Sequence, residues 1–152
     1  MQAQIRAWEE RSFTSIPIHI NLSAKNFDKN STIVHIVDNA LSMHQLSSSQ
    51  LRVEVTESAL LENFENAHSI LTQLQLLGVK IELDDFGTGF SSLNYLHKLP
   101  FNGLKIDRSF VGTLSADPGS GKIVRMIISL ARDLNLEVIA EGVETDYQVE
   151  RL

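Results

Sequence analysis

The sequence predicts an α/β protein with a parallel sheet, and three observations support this fold class. Short segments in which apolar and polar residues alternate recur along the chain, and segments with helical apolar spacing separate them. A strand followed by a helix occurs five times, at intervals of roughly 25–35 residues, which is typical of βαβ units. The 152 residues are enough to bury the core of one domain.

Five segments are predicted to be strands because their apolar residues alternate with polar ones or form a short continuous run. Each is bounded by turn residues, and at or near the end of each stands a side chain that can bind a metal ion or transfer a proton. In chain order the predicted strands cover residues 16–23, 51–57, 79–83, 103–107 and 136–141.

The segments beside these strands have apolar residues at the three- and four-residue spacing of an amphipathic helix. Ser31 or Thr32 can cap one of these helices, and Gly78 is placed to end the next. Pro100 is expected to end a short helix that follows the third strand. In chain order the helices are expected at residues 1–11, 31–46, 63–77, 91–98, 120–134 and 146–152, with a turn at 117–119.

The number of strand–helix units favours an incomplete (β/α)₈, TIM-like barrel with about five units present. A closed barrel needs eight strands and typically about 250 residues, so both ends of such a barrel would be missing. An open five-stranded α/β sheet is the alternative. The sequence contains neither the glycine pattern of a dinucleotide-binding crossover nor a phosphate loop ending in Gly-Lys-Ser/Thr.

Composition narrows the possible functions. A hydrophobic content of 43% and a charged content of 21% are those of a soluble globular protein. The net charge of −6 argues against polymeric DNA or RNA as a partner, but it permits a small phosphate ligand beside a divalent metal ion. The absence of cysteine leaves oxygen or imidazole as the ligands of any metal. We expect no membrane segment and no signal peptide, and hence a cytoplasmic protein or the cytoplasmic part of a larger one.

The polar residues at the strand ends are Asn21, Glu54, Asp84 with Asp85, Lys105 and Glu141. In a barrel these ends converge on the face where active sites lie. Their carboxylate and amide oxygens suit Mg²⁺, Mn²⁺ or Ca²⁺, and Asp84 could bridge two ions. Lys105 would balance the charge, polarise a phosphate or help to deprotonate a water molecule. Taken singly, each of these residues could instead be a solvated polar side chain at a strand end.

Five ordered motifs resemble those of the EAL domain family. They read NLSA at 21–24, EVTES at 54–58, DDFGTG at 84–89, LKID at 104–107 and AEGVET at 140–145. The resemblance runs from about residue 16 to residue 152, so residues 1–152 are expected to be a partial EAL domain. It implies a phosphodiesterase that uses Mg²⁺ or Mn²⁺ to hydrolyse the bacterial second messenger cyclic di-GMP to linear pGpG.

The resemblance also implies which residues bind metal. Asn21, Glu54 and Asp84 would ligate one ion, and Asp84 and Asp85 would serve the second of two ions in the complete domain. A metal-activated water would then attack one phosphodiester bond of cyclic di-GMP.

The resemblance also assigns roles to the other residues that match the family motifs. The resemblance implies that Lys105 holds the catalytic water or acts on it, and that Glu141 is a further catalytic or metal-linked acid with Glu144 close by. Glu57 would stabilise the loop after the acidic pair through hydrogen bonds instead of contacting metal. Arg108 is a candidate for a phosphate contact or for an ordinary surface residue.

Two motifs of the family have no counterpart in this sequence. The Glu-Ala-Leu motif, which supplies a metal ligand, and the later Gln-Gly-Tyr segment are absent, so two strands upstream and one downstream are expected to be missing. We therefore expect impaired hydrolysis, and the residues leave open whether this chain is itself an enzyme. The alternatives are an inactive remnant that binds cyclic di-GMP or a protein, and an unrelated metal-dependent phosphohydrolase. Uncovered sheet edges predict self-association or contact with other domains of a parent protein.

The histidines show no paired spacing typical of metal ligands. We therefore expect each of them at the surface or on a helix flank. They are His19, His35, His44, His68 and His97.

Overall fold

A five-stranded parallel sheet with intervening helices forms the computed structural model, which describes residues 17–87, 96–114 and 118–152. The strands are β1 (Ile18–Leu22), β2 (Leu51–Thr56), β3 (Lys80–Phe86), β4 (Gly103–Ile106) and β5 (Glu137–Ala140). The helices are α1 (Ile33–His44), α2 (Glu57–Leu61), α3 (Phe64–Leu76), α4 (Arg108–Gly112), α5 (Pro118–Asp133) and α6 (Asp146–Arg151). Two short 3₁₀ helices occupy Ala24–Phe27 and Ser48–Gln50.

The strands lie in the sheet in the order in which they occur along the chain, and every pair is parallel. Right-handed crossovers between successive neighbours place the connecting helices on one side of such a sheet. A doubly wound sheet instead reverses its strand order at a switch point, and this sheet does not. The topology is that of consecutive units in a barrel wall, as predicted.

The sheet is also strongly curved. Arg52 on β2 and Glu137 on β5 lie 3.0 Å apart, measured from Nη1 to Oε2, although β3 and β4 stand between their strands. In a flat sheet three strand spacings would separate the two backbones by about 14 Å, and side chains that stand perpendicular to the sheet would not meet across that distance. Their contact therefore requires the sheet to curl around them, as the wall of a barrel does.

Alternation along the strands gives the sheet one apolar and one charged face. The apolar face joins buried helix residues such as Leu71, Leu74 and Ile127 in a single core. Its fully or nearly fully buried strand residues are Val53, Val55, Ile81, Leu83, Leu104 and Ile106. The alternate positions form what we call the charged face, with His19, Asn21, Arg52, Glu54, Lys80, Glu82, Asp84, Lys105 and Glu137.

Two short helices that the sequence analysis did not predict begin directly after strands. Glu57 starts α2 at the end of β2, and Asp107 caps α4 by accepting a hydrogen bond from the Ser109 backbone N–H at 3.0 Å. A helix of five residues is too short to show an apolar period. The predicted turn at 117–119 is wrong at Pro118, which begins α5, because proline suits the first turn of a helix.

The third strand is longer than predicted, since β3 continues through the acidic pair to Phe86. The predicted helix at residues 1–11 lies outside the described residues, and so does the one at 91–98 except for its last three positions. Within the described ranges, no helix combines the length and the apolar character needed to span a membrane.

Candidate metal centre

One lysine on the charged face is surrounded by three carboxylates. Lys105 Nζ lies 2.6 Å from Glu141 Oε1 and 3.0 Å from both Glu54 Oε1 and Asp84 Oδ1. These four residues come from β4, from the loop after β5, from β2 and from β3, so the carboxyl ends of four neighbouring strands meet here. The ammonium of Lys105 is therefore a counter-ion to all three carboxylates.

An irregularity in β3 lets both adjacent acids reach this site. Successive residues of a regular strand face opposite sides of the sheet. The pairing of β3 with β4 shifts register between Leu83 and Phe86, and Asp85 adopts a left-handed φ of 54°. The ligand oxygens of Asp84, Asp85 and Glu141 consequently all lie within 4.8 Å of one another.

We call Glu54, Asp84, Asp85 and Glu141, together with Lys105, the acidic cluster. Burial lowers the pKa of Lys105, but its hydrogen bonds to Glu141, Glu54 and Asp84 outweigh burial and raise that pKa well above its usual value. Burial acts against ionisation of Glu54 as well, yet hydrogen bonds from Lys105 and from the imidazole of His19 leave the pKa of Glu54 lowered. Lys105 and Glu54 therefore form an ammonium–carboxylate pair at the centre of the cluster.

The acidic cluster has too few positive charges for its acids. Burial, followed by the negative charges of Asp84, Asp107 and Glu141, raises the pKa of Asp85. Four carboxylates and one ammonium leave three formal negative charges unbalanced when all five groups are ionised. Crowded oxygen ligands with excess negative charge are the environment that hard divalent cations bind.

Asn21 lies next to the acidic cluster on the neighbouring strand. It is the Cα partner of Glu54 in the β1–β2 ladder, and its side chain is exposed. Residues paired in register on parallel strands point to the same face. The structure thus places the Asn21 amide beside Glu54, where the sequence predicted a ligand.

Glu57 contacts the chain just after the acidic pair. Its Oε1 accepts a hydrogen bond from the Gly87 backbone N–H at 3.1 Å. Gly87 has a φ of 95°, and a Cβ atom there would lie 2.9 Å from the ring of Phe110, so only glycine fits this turn. The contact agrees with the stabilising role predicted for Glu57, although residues 88–92 of the loop lie outside the described residues.

The structure does not bring Glu144 or Arg108 into the acidic cluster. Glu144 is exposed on the loop after β5, where its backbone N–H donates to Gln148 Oε1 at 2.7 Å. Arg108 is exposed at the first position of α4. Both lie beyond the same strand ends as the cluster, but neither side chain forms an ion pair with its acids.

His19 is exposed at the surface, as expected, with 36% of its side chain accessible, but the sequence analysis did not predict its contacts. This residue is on β1, with Nδ1 2.7 Å from Glu54 Oε1 and 3.2 Å from Glu82 Oε2. A usable signal was present in the sequence, because His19 stands two positions before Asn21. In a strand that spacing places both side chains on the same face.

A second group of charges lies on the charged face nearer the amino ends of the strands. Arg52 Nη1 bonds to Glu82 Oε1 and lies 3.0 Å from Glu137 Oε2, and Lys80 Nζ lies 2.6 Å from Glu137 Oε1. Glu82 is completely buried. We call these four residues the paired charges, because two cations face two carboxylates and no formal charge is left over.

The site and fold together define a class: β/α units that gather an oxygen-rich acidic site at the carboxyl ends of parallel strands. The chain belongs to the EAL domain family, whose model matches residues 1–152. This match includes the first fifteen residues, which the sequence resemblance did not cover.

Relatives and solved structures agree with this assignment. The chain is 46% identical over 149 residues to the bifunctional diguanylate cyclase/cyclic di-GMP phosphodiesterase MucR of Pseudomonas aeruginosa, covering 98% of this chain and 22% of MucR. It is 45% identical to the structure of PaMucR phosphodiesterase in complex with c-di-GMP, with a TM-score of 0.90 and coverage of 99% of this chain and 61% of that one. These likenesses confirm the predicted fold.

A relative with a bound metal is also similar in structure. The manganese and cyclic di-GMP complex of Klebsiella pneumoniae BlrP1 is 25% identical, with a TM-score of 0.85, and the match covers 99% of this chain and 38% of that one. The chain spans about a fifth of the length of MucR and less than two thirds of each solved structure named here.

Proposed function

We propose that this chain is the metal-binding part of a phosphodiesterase that hydrolyses cyclic di-GMP to linear pGpG. The observation that carries the proposal is the acidic cluster, in which four carboxylates lie at the carboxyl ends of the strands around a single ammonium that contacts three of them. The substrate is supported by the relatives, since MucR is named as a cyclic di-GMP phosphodiesterase and PaMucR was solved with c-di-GMP.

The residues of the cluster fit Mg²⁺ or Mn²⁺, and we assign two ions to the complete site. Glu54, Asp84 and Asp85 would hold them through carboxylate oxygens, with the amide oxygen of Asn21 completing the set within this chain. These are the hard ligands that both ions prefer. When bound, such ions lower the pKa of a water molecule and neutralise charge on the phosphate.

The other residues of the cluster orient the reacting groups. Lys105 remains an ammonium because its pKa is raised, so it would donate hydrogen bonds to the attacking water or a phosphate oxygen instead of removing a proton. Glu141 lies 2.6 Å from Lys105 and would fix the position of that ammonium while accepting a proton or a metal contact. Glu57 would hold the turn at Gly87, which follows the metal-binding acids directly.

The same proposal covers the partners of the chain and its location in the cell. Strands β1 and β5 are the edges of the sheet in the described residues. These edges, and the small share of MucR that the chain spans, support the prediction that it works beside further domains or a second copy. A bacterial second messenger as substrate would place it in the cytoplasm or in the cytoplasmic part of a larger protein.

Hydrolysis of cyclic di-GMP by the purified chain with Mn²⁺ tests the proposal. The wild type is compared with Asp84→Asn and with Asp133→Asn, a matched change at an exposed position of α5. We expect linear product from the wild type and from Asp133→Asn, and a rate at least about 100-fold lower from Asp84→Asn. Equal rates from all three proteins would overturn the assignment of the site. Nucleotide binding without product would support the non-hydrolysing alternative.

A further inference from the structure

The second contact of Glu54 comes from a residue that the proposed mechanism does not use. His19 Nδ1 lies 2.7 Å from Glu54 Oε1, closer than Lys105 Nζ at 3.0 Å. Glu54 is almost completely buried, whereas 36% of the His19 side chain is exposed, so the imidazole joins a buried carboxylate to the accessible part of the charged face. Both contacts fall on Oε1, and within the described part of the chain no hydrogen bond or ion pair reaches Oε2.

The chemistry of the neighbours fixes which nitrogen of His19 carries hydrogen. Nδ1 faces carboxylate oxygens of Glu54 and of Glu82, at 2.7 and 3.2 Å. An ionised carboxylate can only accept hydrogen bonds. Nδ1 must therefore be the protonated nitrogen that donates to Glu54.

A carboxylate of the paired charges also lies near this donor, although it forms no hydrogen bond with it. Glu82 is completely buried, and Arg52 bonds to its Oε1, which leaves Oε2 turned towards His19. Arg52 is itself fixed by Glu137, whose other oxygen contacts Lys80. The Nδ1 atom of His19 thus lies near two carboxylates, hydrogen-bonded to Glu54 and 3.2 Å from the fixed carboxylate of Glu82.

We propose that His19 is a positioning residue for Glu54, which it holds through an Nδ1–H donor so that the other carboxylate oxygen is presented to the metal ion. This inference rests on the proposed function, in which Glu54 is a metal ligand. Carboxylates that bind metal are commonly held by hydrogen bonds from groups outside the ligand set, and losing such a group typically lowers metal affinity about 10–100-fold.

Direct metal binding by His19 is the competing interpretation. Its Nδ1 and the oxygens of Glu54 and Glu82 do lie within 4.8 Å of one another. However, Arg52 already neutralises Glu82, and Lys105 already contacts Glu54. A cation among these three residues would compete with both side chains, so the contacts favour positioning over ligation.

Mn²⁺ affinity of the purified chain, measured by electron paramagnetic resonance titration, tests the proposal. The variants are His19→Ala, which removes the donor, and His19→Asn, whose side-chain NH₂ replaces Nδ1–H at a similar distance from the backbone. We expect His19→Ala to bind Mn²⁺ about 10–100-fold more weakly and His19→Asn to recover most of the affinity. Thermal unfolding without metal should change little in either variant, which separates positioning from a general loss of structure.

The outcomes distinguish this inference from the proposal on which it rests. Failure of the wild type to bind Mn²⁺ would overturn both. Mn²⁺ binding with equal affinity in the wild type and His19→Ala would overturn the positioning role alone. A nitrogen coupling to bound Mn²⁺ that disappears in His19→Ala would also overturn it, because the imidazole would then be a ligand.

Discussion

The acidic cluster and the paired charges lie on the same face of the same sheet, yet their charge balance differs. In the paired charges, Arg52 and Lys80 face Glu82 and Glu137, and the sum of formal charges is zero. In the acidic cluster, one ammonium serves four carboxylates. The paired charges are therefore electrically neutral without a ligand, whereas the acidic cluster has an excess of negative charge that a bound cation would balance. Balance of charge, more than burial or polarity, therefore distinguishes the paired charges from the acidic cluster, for which we propose a metal-binding role.

The largest effect is expected from breaking the paired charges at Arg52. Arg52→Met would leave Glu82 buried without its cation, at a cost of about 3–5 kcal/mol in the free energy of unfolding. Urea unfolding of the chain measures this, with and without Mn²⁺. Mn²⁺ should not restore the loss, because the paired charges are not the metal site.

A matched double variant keeps this prediction testable if Arg52→Met does not fold. Arg52→Met combined with Glu82→Leu removes both buried charges, so it should be closer to the wild type in stability than the single variant. A double variant no more stable than Arg52→Met would contradict the interpretation of these residues as a balanced pair.

Replacement of Lys105 is expected to cause a smaller loss of stability, which Mn²⁺ should offset. Without metal, Lys105→Met should destabilise the chain by about 2–3 kcal/mol, less than at Arg52 because the acids around Lys105 are partly exposed. Mn²⁺ should offset this loss, since an ion at 100 times its dissociation constant stabilises by about 2.7 kcal/mol. The thermal shift caused by Mn²⁺ should be larger in Lys105→Met than in the wild type. A smaller shift would indicate that the cluster does not take up the cation.

The smallest effect is expected at Glu137, which is half-exposed. Hydrogen bonds from Lys80 and then Arg52 hold its pKa below the ordinary value of 4.5. A carboxyl group with a lowered folded-state pKa stabilises above its unfolded pKa, and that contribution disappears as pH falls through the lower value. Glu137→Gln should therefore cost less than about 1 kcal/mol at pH 7, and the difference from wild type should decrease as the pH falls below 4.5. A difference that does not depend on pH would rule out the ion pair as its cause.

The sequence predicted most of the fold because alternation and helical spacing are local properties. Residues such as Val53 and Val55 alternate with Arg52 and Glu54, and this pattern alone assigns them to opposite faces. The barrel-type topology followed from counting strand–helix units. The short helices α2 and α4 were missed because five residues contain no apolar period.

The contacts within the site depended on register and curvature, which one sequence does not contain. The pairing of Arg52 with Glu137 requires two strands that are not neighbours to approach across a curled sheet. The approach of Asp85 to Asp84 and Glu141 requires the irregularity in β3. The spacing of His19 from Asn21 indicated a shared face, but its contact with Glu54 depends on the register of β1 against β2.

Thermal unfolding of the chain with and without Mn²⁺, in the wild type and in Asp84→Asn, tests the central claim most directly. That claim is that the charge imbalance of the acidic cluster marks a divalent metal site. We expect Mn²⁺ to raise the unfolding temperature of the wild type and to leave that of Asp84→Asn unchanged, with similar stability of both proteins in the absence of metal. An equal rise in both proteins would contradict the account, because the stabilising ion would then bind elsewhere.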